Sequence, residues 1–229
     1  MKKLLIYTLF ILFPIINKAG SEKHTFFGEE SSSLYSDLCL SDFGLTKQIF
    51  QLALSGQNKL EFLGQLKNPN LLTIIDFSQS STKKRMYVID LLHKTLLFNT
   101  FVAHGRGTGE EYATNFSNES GTHKSSLGFY ITENPAIGAT VGLSLIIKGV
   151  EKGFNDKAQQ RAIIMHGAEY ATEDFIKKHG RLGRSYGCPS VPPELIKPVS
   201  ETIKGGTCLF IYHPDKNYLS HSALIGHQG

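Results

Sequence analysis

Residues 165–192 read MHGAEYATEDFIKKHGRLGRSYGCPSVP and decide how the rest of the chain is understood. They set His166-Gly167 at the end of the apolar run Arg161 to Met165, and Ser185-Tyr186-Gly187-Cys188 in a loop twenty-two residues further on. Between the two, Thr172 is placed to cap a helix that runs through Phe175, Ile176 and Lys178 and stops at Gly180. A cysteine works as a nucleophile when an imidazole takes its proton and nearby positive charge stabilises the thiolate. His166 supplies the imidazole, and Arg181 and Arg184 supply the charge. Gly187 allows a tight turn, so that amide N–H groups at 187 and 188 face a developing oxyanion, and Ser185 is placed to orient the base. On spacing alone, one His and one Cys also meet as ordinary packed residues, so both readings stand at this point.

Working outward, the runs Leu71 to Phe77, Arg85 to Leu92, Leu96 to Ala103, Leu127 to Thr132, Gly142 to Ile147, Arg161 to Met165 and Thr207 to Tyr212 are apolar, β-branched or aromatic. Turn residues separate them, as expected of antiparallel strands in a mainly β domain of the α+β class. Apolar residues from Leu45 to Leu66 recur at helical spacing and predict two short helices broken at Ser55-Gly56-Gln57-Asn58. Pro192-Pro193 and Pro198 read as starts of short helical turns before Gly205-Gly206. Two long loops, from His104 to Ser126 and from Gly180 to Pro193, are the segments a bland scaffold does not need.

The N-terminus, Met1-Lys2-Lys3 followed by the uncharged stretch Leu4 to Ile16, predicts a signal peptide over residues 1–20 and a polar tether over 21–40. A single catalytic domain with an N-terminal helical extension is then expected over 41–229. The apolar stretch is too short for a stable membrane span, and the protein is expected to be exported to the periplasm or cell envelope. Removal of Lys2, Lys3 and Lys18 takes the formal charge from +4 to +1. Without a basic run, the chain has no electrostatic footprint for nucleic acid.

Cys39, Cys188 and Cys208 make an odd count, and a Cys39–Cys208 disulfide would leave Cys188 as the free thiol. Cys208 lies in an apolar run and reads as an inert core thiol. His104-Gly105 repeats the context of His166-Gly167, so His104 either lines the same cleft or serves as a structural hydrogen-bonding residue. Gly105-Arg106-Gly107-Thr108-Gly109 lacks the Lys and the helix start of a phosphate loop. No metal-ligand spacing is present, and neither metal nor organic cofactor is expected.

His166-Gly167 followed by Ser185-x-Gly187-Cys188 resembles the signature of the YkuD-like L,D-transpeptidases. Ser125-Ser126-Leu127-Gly128-Phe129 is similar to that family's strand entry. Together with Val102-Ala103-His104-Gly105, Phe116-Ser117-Asn118 and Gly183-Arg184-Ser185-x-Gly-Cys-Pro, the pattern resembles a divergent murein branch over roughly residues 70–213.

The resemblance implies a β-sandwich-like fold with short helices and a cysteine acyltransferase acting on peptidoglycan stem peptides. Cys188 would form a thioester with a tetrapeptide stem, and D-alanine would leave with a proton from His166. A neighbouring stem amine, a lysine of an envelope protein or water would resolve the thioester. The alternatives are an L,D-carboxypeptidase or thiol amidase, and a non-catalytic envelope-binding module of the same fold. Tyr186 replaces the family's histidine before Gly-Cys, and Pro189-Ser190 replaces the residues that lead to a donor-binding Arg or Asn. Donor binding is therefore expected from Arg184, Tyr186, His104 and Arg181.

Overall fold

A computed structural model describes residues 31–225; the expected signal peptide lies outside them. Its strands form one mixed sheet of eight, in the order β3-β2-β1-β8-β4-β5-β6-β7. They are β1 (Leu71–Asp76), β2 (Met86–Asp90), β3 (Thr95–Thr100), β4 (Gly128–Gly138), β5 (Gly142–Gly149), β6 (Ile164–Gly167), β7 (Ser190–Val191) and β8 (Cys208–Tyr212). The mainly β, α+β class expected from the runs is what forms, with all strands hydrogen-bonded in a single sheet.

The sheet is mostly antiparallel, but β1 pairs parallel with β8 and β6 pairs parallel with β7. Every residue of β1 and β8 is buried, which is why both read as unbroken apolar runs, whereas edge strand β3 keeps exposed positions. Pro135 interrupts β4 where its register against β5 shifts, the place a strand tolerates a residue without an N–H.

Among the described residues, four helices that follow the N-terminal helical segment 31–37 flank the sheet: α1 (Lys47–Phe62), α2 (Glu173–His179), α3 (Pro193–Ile203) and α4 (Lys216–His221). Thr46 caps α1 by accepting from the Ile49 amide at 3.3 Å. Helix α1 packs on β1 and β8, burying Ile49, Phe50, Leu52, Ala53, Leu54 and Leu60. Each of the isoleucine, leucine and phenylalanine side chains is worth about 1.5–3 kcal/mol on burial.

The expected break at 55–58 does not occur, because Gly56 serves packing: a Cβ there would stand 2.0 Å from Cζ of Phe129 on β4. Likewise α3 runs through Pro198 as one helix. Thr172 accepts from the Phe175 amide at 3.3 Å and Gly180 closes α2 in the left-handed region, as the sequence predicts.

Two further expectations are corrected. The tether does not reach residue 40: residues 31–37 are helical, Leu34 and Tyr35 pack on the core, and Leu38 and Leu40 are buried in it. All three cysteines are free. Cys208 is buried in β8 while Cys39 is exposed, so the disulfide does not form.

The two long loops of the sequence are zipped together. Ala103 and Ser190 exchange backbone hydrogen bonds at 2.8 and 3.2 Å. Ser185 N–H donates to the His104 carbonyl at 3.0 Å, and Arg106 N–H donates to the Ser185 carbonyl at 2.8 Å. This pairing brings the cysteine loop back beside the end of β6.

Candidate active site

His166 sits on the last turn of β6, paired across to Ser144 on β5 and Ser190 on β7, with 5% of its surface exposed. Its Nδ1 lies 3.0 Å from the Gly167 carbonyl. A carbonyl only accepts, so Nδ1 carries the proton in the neutral ring and Nε2 is an acceptor. Nε2 lies 3.0 Å from Ser190 Oγ, whose hydroxyl therefore donates to it. The Tyr170 hydroxyl, 3.1 Å from Ser190 Oγ, then donates to the serine. A three-membered chain, Tyr170 to Ser190 to His166, fixes the ring with Nε2 turned to the Ser190 hydroxyl.

Cys188 is half-buried beside the same strand. Its thiol is 3.7 Å from the Ala162 carbonyl. Burial pushes the thiol pKa up, and the Ile164 amide, the Arg161 charge and its own amide pull the other way. Ala162 and Ile164 precede His166 on one chain segment, and Ile164 and His166 point to the same side of β6. Since the net direction is upward, the resting group is a thiol, and attack by its sulfur would require a base.

The turn carrying the thiol is braced at every point. Ser185 Oγ donates to the Cys188 carbonyl at 2.6 Å and accepts from the Gly187 amide at 3.0 Å. Ser125 Oγ donates to the Gly187 carbonyl and accepts from the Gly105 amide, each at 3.0 Å. Gly187 has φ +123°, and a Cβ there would stand 2.8 Å from the Lys124 carbonyl, so the turn needs glycine.

These contacts reassign three expected roles. Ser185 shapes the Cys188 backbone, and Ser190 holds the His166 ring. The Gly187 amide is already engaged by Ser185, which leaves the Cys188 amide, facing its own sulfur, as the donor of this turn. Arg181 and Arg184 do not face the thiol: they share Glu110, at 2.8 and 2.5 Å, and Arg184 also donates to the Gly109 carbonyl at 3.2 Å. They latch the 109–112 loop to the cysteine loop. The cation under the turn is Arg161, fixed by the Ser117 carbonyl at 2.8 Å, the Lys124 carbonyl at 2.6 Å and Ser126 Oγ at 2.5 Å. No motif flagged it; it simply opens the β6 run.

His104 is 1% exposed, so it does not line an open cleft. Arg85 donates to its Nδ1 at 2.9 Å, and Nε2–H donates to the Gly109 carbonyl at 3.3 Å. Burial, and then the Arg85 charge, drive its pKa down to about 3. It is a neutral strut under the loop. Tyr186 is the opposite case, 66% exposed, with the His123 ring 4.6 Å from its own and the Arg106 guanidinium carbon 5.1 Å from its ring centroid. Among the described residues, no group of three or more His, Cys, Asp or Glu side chains converges as a metal site.

The L,D-transpeptidase catalytic domain model matches residues 42–212, a span that contains both His166 and Cys188. The chain belongs to the L,D-transpeptidase catalytic domain family. No curated protein matches the chain. Among solved structures, an L,D-transpeptidase from Mycobacterium smegmatis is 10% identical, with a TM-score of 0.39 over 63% of this chain and 59% of the other. An L,D-transpeptidase from Mycobacterium tuberculosis is 14% identical, with a TM-score of 0.38 over 63% and 58%. The helical cell shape determining protein Pgp2 from Campylobacter jejuni is 14% identical, with a TM-score of 0.41 over 70% and 56%. This transpeptidase-family chain thus spans a little over half the length of these proteins.

Proposed function

We propose that this domain is an exported, cysteine-dependent L,D-transpeptidase acting on tetrapeptide stems of peptidoglycan. The observation that carries the reading is the placement of His166: Nδ1 faces the Gly167 carbonyl, and Nε2, bonded to the Ser190 hydroxyl, is left as the acceptor nitrogen on the strand that flanks the Cys188 sulfur.

In the proposed step, the Cys188 proton passes to His166 Nε2 as sulfur attacks the carbonyl that joins the third stem residue to the terminal D-alanine. The Cys188 amide stabilises the developing oxyanion, and the C–N bond then breaks. The D-alanine amine leaves with the proton from Nε2, and the acyl group stays on sulfur as a thioester. An amine of a second stem resolves the thioester, forming a new amide and restoring the thiol.

Ser190 suits both states of the base. Against the neutral ring it donates to Nε2 and accepts from Tyr170; against the imidazolium it accepts from Nε2–H and turns its own proton to Tyr170. Arg161, fixed under the turn, supports sulfur as its proton departs.

Intact-protein mass spectrometry of the domain quenched during incubation with tetrapeptide tests the covalent step. The expected result is an adduct equal to the stem without D-alanine, present on the native chain and missing from Cys188→Ala. An adduct that persists in Cys188→Ala, or turnover without any adduct on rapid quenching, would overturn it.

A further inference from the structure

Four arginines surround the nucleophile turn, and three are already committed. Arg161 is tied to the Ser117 and Lys124 carbonyls and Ser126 Oγ, and Arg181 and Arg184 share the carboxylate of Glu110. Arg106 differs. Its backbone is tied to the cysteine loop through the Ser185 carbonyl, its side chain is exposed, and among the described residues it has no carboxylate partner. What holds it is the face of Tyr186, two residues before the nucleophile, with His123 against the same ring.

We propose that Arg106, seated on Tyr186, is the group that binds a carboxylate of the acyl donor next to the scissile carbonyl. This rests on the reading of Cys188 as the nucleophile. A guanidinium stacked on an aromatic ring keeps its N–H edge free, and that edge matches a carboxylate in two parallel hydrogen bonds. The ring limits the rotamers of a long side chain, so less freedom is lost on binding. Because Arg106 and Cys188 lie on loops bonded to one another, the captured carboxylate is held in register with the sulfur. Arg184 does not substitute, since its guanidinium is held by Glu110 and the Gly109 carbonyl. A tetrapeptide donor offers two such carboxylates, the terminal one and any on the side chain of the third residue, and both have the same chemistry.

Alkylation of Cys188 tests this without turnover. Iodoacetate carries a carboxylate and iodoacetamide does not, so their rate ratio reads a carboxylate-binding cation beside the sulfur. The ratio is expected to fall about threefold to fivefold in Arg106→Gln, the scale of one exposed charge pair. It should largely recover in Arg106→Lys, stay near the native value in Tyr186→Phe and fall in Tyr186→Ala. An unchanged ratio in Arg106→Gln, or an equal fall in Lys124→Gln, would overturn the proposal whether or not the domain turns over stems.

KM for donors amidated at the terminal carboxyl or at the side-chain carboxyl then identifies the source. The amide that abolishes the difference in KM between native and Arg106→Gln protein marks the carboxylate bound. A KM difference that survives both amides contradicts the assignment.

Discussion

Ser190 Oγ stands 3.0 Å from His166 Nε2 and 3.1 Å from the Tyr170 hydroxyl, linking the base to a half-buried phenol. Ser190→Ala removes the partner of a charged imidazolium, a bond worth about 1.5–3 kcal/mol, so kcat/KM should fall about 10- to 100-fold. Ser190→Thr keeps the hydroxyl and should restore most of the rate. A purely structural role would lower thermal stability along with the rate, whereas loss of this bond should lower kcat/KM with Tm near the native value. An unchanged kcat/KM in Ser190→Ala would remove Ser190 from the account.

Arg161 supplies the fixed cation beside the thiol. Arg161→Gln removes a charge that lowers the Cys188 pKa, so the thiol should titrate still higher above the ordinary cysteine value than in the native chain. The pH dependence of iodoacetamide alkylation measures this directly, and a midpoint that moves down in Arg161→Gln contradicts the assignment. Arg181→Gln should leave the midpoint in place, because that guanidinium is paired with Glu110 and does not face the thiol.

His104 makes acid stability a further readout. The folded ring stays neutral down to about pH 3, while the unfolded chain takes up a proton near the ordinary value of 6.5. The contribution is therefore complete above about pH 6.5 and is lost as the pH falls toward 3, amounting to a few kcal/mol. His104→Gln can accept from Arg85 and donate to Gly109 without titrating. Urea midpoints at pH 7 and pH 4.5 should differ less in the variant than in the native chain; an equal difference would show that other groups set the acid limit.

Gly56→Ala puts a methyl into the Phe129 ring and should cost about 1–3 kcal/mol, lowering Tm by several degrees while leaving Cys188 alkylation unchanged. A variant as stable as the native chain would show that α1 and β4 are not in contact at that depth.

That glycine also shows where sequence reading ends. Ser55-Gly56-Gln57-Asn58 has the local composition of a turn, and only Phe129, seventy-three residues away, makes the glycine a packing residue. The strands were legible because β1, β2 and β8 are covered on both faces and carry continuous apolar runs. His166 and Cys188 were legible because they lie in a recognisable spacing. Ser190 was visible only as a departure after Cys188, since its partner is reached through the parallel pairing of β6 and β7. The same holds for Glu110, which takes up Arg181 and Arg184 from seventy or more residues away.

The most direct test of the central claim is the product distribution from disaccharide-tetrapeptide incubated with the purified domain and with Cys188→Ala. The account predicts loss of D-alanine together with a cross-linked dimer, seen by mass spectrometry with the native chain alone. Equal D-alanine release by Cys188→Ala, or intact substrate after incubation with a native chain whose Cys188 is free and alkylatable, would contradict it.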